Sequence, residues 1–259
     1  MAIEGWHGWE EYSPFYDWEN SRTLGRRDVT FWQRMAARVG GTVLELGCGT
    51  GRVSVPVAKV SNHLVGIDRS AGMLERARRR FRRSKLMHSA KLVQGDIRSL
   101  PFDGSQPFDL VIAPYGVLQS LIREADLTAT LLSVARVTRP GSMVGIDLVP
   151  DVPRWSEYRR RVSLKGRFGR SGKRLTLIES VRQDRRRKLT IFDQEYLEAK
   201  SKTSKKTHRF SLAFRTLSIP QMIRRVERVG FQIEEVLGDY QGRPWDTQSD
   251  VWIIIVSRK

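Results

Sequence analysis

Three glycines at alternate positions, Gly47, Gly49 and Gly51, follow an apolar run in VLELGCGTGR, residues 43–52. Glycine at that spacing clears a loop of side chains, so a ligand meets backbone directly. A dinucleotide loop would read G-x-G-x-x-G, and a phosphate loop would carry Gly-Lys-Ser/Thr after four intervening residues; neither is present. Glu45 stands two residues before the first glycine, at the carboxyl end of an expected parallel strand. There it would repel a pyrophosphate and welcome a cationic amino group. Asp68 ends a second apolar run, HLVGID, and can accept hydrogen bonds from both hydroxyls of a ribose. Asp96 ends a third, KLVQGD, placed to accept from an exocyclic amine such as adenine N6. The three carboxylates point to a ligand with a nucleoside and a positive charge but no phosphate.

Such residues need strand ends to hold them. Apolar runs at 42–47, 63–68, 91–96, 108–114 and 142–149 alternate with helical stretches, which implies right-handed crossovers and a parallel sheet. Asp28 is expected to cap the helix DVTFWQRMAARVG, and Ser70 the helix AGMLERARRRFRRS. A further helix is expected around 124–138, then a turn at Arg139-Pro140-Gly141. From 154 to about 216 the period changes to two, in RLTLIESV, RKLTIFDQEYLEAK and HRFSLAFRTL. This predicts an antiparallel hairpin or three-stranded insertion, with KSKTSKK (200–206) at a hairpin tip and DRRRK in a turn. A helix in IPQMIRRVERVG and strands in FQIEEVL and VWIIIVSRK close the domain. The fold class expected is α/β: a doubly wound, mostly parallel seven-stranded sheet with its last strand antiparallel, plus a small antiparallel β insertion.

The 259 residues carry a net charge of +18, and arginine supplies 35 of the 46 basic side chains. A balance so basic hints at a polyanionic partner such as RNA. No run approaches 18 apolar residues, the N-terminus does not read as a signal peptide, and there is one cysteine. These features predict a cytoplasmic protein without a membrane span. No HExxH or Cys/His ligand spacing suggests a metal.

Taken together, the motifs resemble the class I S-adenosylmethionine-dependent methyltransferases. VLELGCGTGR is similar to their first motif, VGIDRSAGMLERAR to the ribose segment, and QGDIRSLPF to the adenine segment. FDLVIAPYGVLQSL is similar to the strand that faces the methyl donor, and ARVTRPGSMVGIDLV to the fifth-strand segment. The resemblance implies S-adenosyl-L-methionine as cofactor, S-adenosyl-L-homocysteine as product, and no metal. It implies that Gly47, Gly49 and Gly51 approach the methionyl and ribose parts, with Glu45 near the amino group. Asp68 would hold the ribose, Met73 and Ile97 would flank adenine, and Asp96 would bond its N6. Cys48, Arg69 and Pro114 fall within the same cofactor motifs, and Tyr16 resembles a residue of an N-terminal helix that closes over the cofactor. Residues 1–40 would then form a lid, 41–151 and 216–259 the core, and 152–215 an insertion over the acceptor.

Ala113 stands where amino-directed nucleic-acid enzymes carry Asn or Asp, which weighs against nucleobase N-methylation. The resemblance is strongest to bacterial small-molecule members. The expected function is in-line methyl transfer to N or O of a small molecule, by a monomer or homodimer. Tyr115 and Gln119 are the catalytic candidates, and with Tyr196 and Arg215 the substrate-contact candidates; His208 is a lesser one. The alternatives are an RNA methyltransferase that uses the basic surface, and a cofactor-binding scaffold without turnover.

Overall fold

A computed structural model describes residues 8–23, 27–149, 156–169, 172–199, 204–249 and 251–259. The start of the expected N-terminal lid, the 150–155 junction and most of the KSKTSKK tip lie outside the described residues. Two helices lead the chain, α1 (Trp9–Thr23) and α2 (Arg27–Val39). Then follow β1 (Thr42–Leu46), α3 (Ser54–Ala58), β2 (His63–Asp68), α4 (Ala71–Arg83) and β3 (Ala90–Gln94). Strand β4 (Phe108–Ala113), α5 (Glu124–Arg136) and β5 (Thr138–Leu148) complete the first pass. After the insertion come α6 (Ile219–Arg228), β10 (Phe231–Leu237) and β11 (Trp252–Arg258).

These strands form one sheet in the order β10-β11-β5-β4-β1-β2-β3, with β11 antiparallel to both neighbours. The central strands are apolar on both faces because helices cover both. Val43, Leu110, Ile112 and Ile253 pack with Trp32 and Met35 of α2 and Phe81 of α4. Leu44, Leu46, Val111 and Ile254 pack on the other face with Leu131 of α5 and Met222 of α6. The order reverses between β1 and β4, and the crevice at the carboxyl ends of those strands is where open α/β sheets bind ligands.

The insertion is a separate antiparallel sheet of four strands: β6 (Tyr158–Phe168), β7 (Lys173–Asp184), β8 (Leu189–Ala199) and β9 (Lys205–Arg215). That is one strand more than the sequence predicts. β6 escapes the two-residue period because it is an edge strand with mostly exposed side chains, rich in arginine on both faces. The turn at 185–188 falls where DRRRK predicts it. Leu175, Leu177, Tyr196 and Leu212 form this sheet's inner face and pack on Tyr12, Phe15 and Trp18 of α1. The rings of Phe15 and Phe168 stack at 5.2 Å.

Three local expectations are corrected. Asp28 is no N-cap: it lies within α2, buried, with its carboxylate on Arg52 at 2.6 and 2.9 Å. Arg139-Pro140-Gly141 is not a free turn but a bulge inside β5, where the register against β4 jumps between Phe108 and Leu110. The third strand stops at Gln94, leaving Asp96 in the following loop. Ser70 caps α4 as read, its hydroxyl accepting the Met73 N–H at 3.1 Å.

Candidate active site

The crevice above β1 and β4 opens into a cavity of about 260 Å³. Of the residues singled out in the sequence, Tyr16, Glu45, Gly47, Cys48, Gly49, Asp68, Arg69, Met73, Asp96, Ile97, Pro114 and Tyr115 line it. The glycine loop positions the first group. A Cβ on Gly47, whose φ is +61°, would fall 2.4 Å from Val117 Cγ2, whereas one on Gly49, at φ +53°, would meet the Gly47 carbonyl oxygen at an ordinary 3.9 Å. Gly51 does not line the cavity. Its φ is +76°, and a Cβ there would sit 3.3 Å from Ala77 Cβ, so this glycine lets the loop close on α4.

Each carboxylate has its own setting. Glu45 is 2 % exposed, and burial pushes its pKa up to about 8 against the pull of nearby Ser54 and Arg52. Its Oε2 has no hydrogen-bond partner among the described residues. Asp68 is fixed by backbone: Gly49 N–H donates to Oδ2 at 2.8 Å and Ser70 N–H to Oδ1 at 2.9 Å. Burial raises its pKa while those donors lower it. Asp96 is gripped by Arg98, at 2.7 Å to Oδ2, and approached by Arg69 at 3.5 Å. The Arg98 contact holds its carboxyl below the usual range. Arg98 also reaches Asp126 at 2.9 Å, which ties the loop to α5.

Helix α1 closes one side of the cavity with Trp9, Glu10 and Tyr16. Two carboxylates pin it there. Glu10 accepts the Ser70 hydroxyl at 2.5 Å and the Gly72 N–H at 2.7 Å. Asp17 accepts the Thr50 hydroxyl at 2.6 Å and Arg80 at 2.8 Å. Phe214 of β9 brings the inserted sheet to the same cavity.

Tyr115 stands apart among the acceptor candidates. It lines the cavity, its phenol is raised by burial, and the Arg52 guanidinium lies 5.7 Å from its ring centre. The structure places Gln119 differently: its amide donates to the Val149 carbonyl at 3.1 Å and accepts the Val149 N–H at 2.7 Å, bracing the chain after β5. Tyr196 is fully buried against α1 and gives its hydroxyl to Glu19. Arg215 shares Glu124 with Arg225, and that pair of guanidiniums, Arg225 first, lowers the Glu124 pKa to about 2. His208 packs on Phe15 with ring centres 4.8 Å apart. None of these last four lines the cavity.

Arg52, Glu10, Thr50, Ser120 and Leu121 line it without having been singled out. Arg52 was legible in part, as the last residue of VLELGCGTGR. Its partner Asp28 is 24 residues away and reads locally as a cap.

Residues 43–141, which hold the glycine loop and strands β1 to β4 beneath the cavity, match the family model described as a methyltransferase domain. In this chain α6, β10 and β11 complete that domain's sheet, and sheet β6–β9 is inserted ahead of them. The demethylmenaquinone methyltransferase of Lactobacillus johnsonii is 31% identical over 141 residues, which cover 52% of this chain and 56% of that protein. The chain thus spans little more than half the length of that relative. The cypemycin N-terminal methyltransferase of a Streptomyces species aligns further, at 25% identity over 85% of this chain and 84% of its own. A solved S-adenosylmethionine-dependent methyltransferase from Clostridium acetobutylicum shares the fold, with a TM-score of 0.76 over 96% of this chain and 98% of that one, at 14% identity.

Proposed function

We propose that the protein moves a methyl group from S-adenosylmethionine to a nitrogen or oxygen atom of a small-molecule acceptor. The observation that carries this reading is a carboxyl and a guanidinium on the cavity wall, each with an unused polar atom. Glu45 Oε2 and Arg52 Nε are buried and without hydrogen-bond partners among the described residues. A buried polar atom left open is costly unless a ligand completes it. A carboxylate and a guanidinium at one wall suit a zwitterion, and the amino-acid end of this cofactor is one. Asp68, with each oxygen already fixed by one backbone N–H, keeps lone pairs for the ribose hydroxyls. Met73 and Ile97, on the same cavity wall, would flank the adenine, and Asp96 would accept from its N6.

The cofactor supplies a methyl group already activated on a sulfonium centre. The work left to the chain is alignment and exclusion of water. Helix α1 and Phe214 close the cavity over the reacting atoms. Tyr115 offers the acceptor a hydroxyl that makes no hydrogen bond to a described residue. Burial holds that phenol protonated, so it acts as a donor and not as a base. The acceptors named for similar proteins are demethylmenaquinone and the cypemycin N-terminus, neither of them a nucleic acid. We place the protein in the cytoplasm, as a monomer or homodimer that needs no metal; no described helix is long and apolar enough to cross a membrane.

The test is transfer of label from methyl-labelled S-adenosylmethionine into a host-cell extract, separated into small-molecule, RNA and protein fractions. Label in the small-molecule fraction, absent with Asp68→Ala, is the expected result. Label in RNA would overturn the acceptor class, and cofactor binding without any transfer would favour a scaffold.

A further inference from the structure

We infer that Asp147, backed by Tyr240, is a positioning residue that sets Tyr115 against the acceptor; the inference rests on the methyl-transfer reading above. Tyr115 follows β4 at φ +58° and Gly116 follows it at φ +64°. Two consecutive left-handed residues, the first with a large side chain, persist only where their surroundings hold them. Asp147, next to last in β5, holds them at two points. Its Oδ2 accepts the Tyr115 N–H at 3.2 Å, and its main-chain carbonyl accepts the Gly116 N–H at 3.2 Å. The same Oδ2 takes the Tyr240 hydroxyl at 2.6 Å.

Tyr240 arrives from the chain after β10, a long way from the cavity in sequence. It is fixed in turn by the Phe31 ring at 5.9 Å and by Arg34, which donates to its carbonyl at 2.8 Å. Asp147 is 3 % exposed and does not line the cavity, so it acts through Tyr115 and touches no ligand.

The hydroxyls of the six tyrosines divide sharply. Tyr12 and Tyr196 give theirs to Glu19, Tyr158 to Glu179 and Tyr240 to Asp147, while Tyr16 lies beside Arg52. Tyr115 gives its own to no described residue. Its backbone is fixed by Asp147 and its ring faces the Arg52 guanidinium, which leaves the hydroxyl for the acceptor.

The charged and titratable groups around Asp147 are Tyr240, Tyr115, Asp28 of α2 and Arg52 of the glycine loop. Burial is the largest influence and lifts its pKa to about 6, with the Tyr240 and Tyr115 donors pulling it down. The grip on Tyr115 is therefore complete above that pH and loosens on acidification.

The test uses whole protein labelled with 13C at the tyrosine ring, which gives six resonances, with Tyr115→Phe assigning one. In Asp147→Asn and in Tyr240→Phe the Tyr115 resonance shifts while those of Tyr12, Tyr158 and Tyr196 stay in place. In the wild type, Tyr115 and Tyr240 move together with a midpoint near pH 6, and Asp147→Asn abolishes that titration. Transfer into the labelled extract fraction falls about tenfold in Asp147→Asn and about threefold in Tyr240→Phe, while the Kd for S-adenosylhomocysteine changes by less than about twofold. A Tyr115 resonance at its wild-type position in Tyr240→Phe and Asp147→Asn overturns the proposal, whatever transfer does. Failure of the underlying reading looks different: wild-type protein gives no binding heat with S-adenosylhomocysteine, yet the Tyr115 shifts remain.

Discussion

Glu45 makes the most specific demand at the scale of single residues. Burial pushes its carboxyl pKa up to about 8. A cationic amino group seated beside it would favour the carboxylate, so cofactor binding should release a proton between about pH 5 and 8. Calorimetry with S-adenosylmethionine in buffers of different ionisation enthalpy checks this: binding heat should vary with the buffer in wild type and not in Glu45→Gln. The same burial bears on stability. The folded state keeps a proton that the unfolded state loses above its ordinary carboxylate pKa, so this group's contribution falls as pH rises from about 4.5 to about 8. Glu45→Gln should therefore stabilise the ligand-free fold at pH 8, by on the order of 1–2 kcal/mol, while weakening cofactor affinity. Denaturant titrations at pH 5 and pH 8 separate the two effects, since the gain should be small at pH 5.

At the scale of elements, α1 closes one side of the cavity. Two contacts hold it there, Glu10 on the start of α4 and Asp17 on Thr50 and Arg80. Asp17→Ala removes one of them without touching the aromatic face that docks α1 on the inserted sheet. Dissociation of S-adenosylhomocysteine, followed by stopped-flow, should speed up about three- to tenfold while the Tm moves by only a few degrees. Gly51→Ala tests the opposite kind of element contact. A methyl group there meets Ala77 in a left-handed backbone, so the expected cost is roughly 1–3 kcal/mol of stability. These elements also show which parts of the structure were legible in the sequence. Strand ends and the glycine loop repeat a local chemistry, so Glu45 and Asp68 could be placed from spacing, whereas Asp96 reaches the cavity from the loop after β3. Contacts between distant segments carry no such period. Asp28 reads as a cap because serine-like capping and a buried ion pair use the same residue type, and only the fold brings Arg52 to it. Gln119 follows a strand in the expected place, yet its amide turns to Val149 instead of the cavity. Edge strand β6 was invisible because exposure, not alternation, decides its residues.

At the scale of the whole molecule, the net charge of +18 is unevenly spent. Much of the arginine is tied into networks: Arg160 and Arg209 share Glu195, Arg215 and Arg225 share Glu124, and Arg76 and Arg80 share Asp17. Each such network sets two cations on one anion, so pairing leaves the excess in place. Further basic side chains stand on β6, in the 185–188 turn of the inserted sheet and on α4, and none of these lines the cavity. Like charges this dense repel one another in the folded state more than in the expanded chain, and salt screens them over about 10 Å at 0.1 M. The Tm should therefore rise by a few degrees between about 0.02 and 0.3 M sodium chloride, against the fall expected where surface ion pairs dominate stability. The same titration, repeated with a short RNA duplex, distinguishes bare self-repulsion from a polyanion site. Self-repulsion predicts weak binding that salt abolishes without any change in methyl transfer. A functional RNA site predicts transfer into RNA that falls with salt along the binding curve.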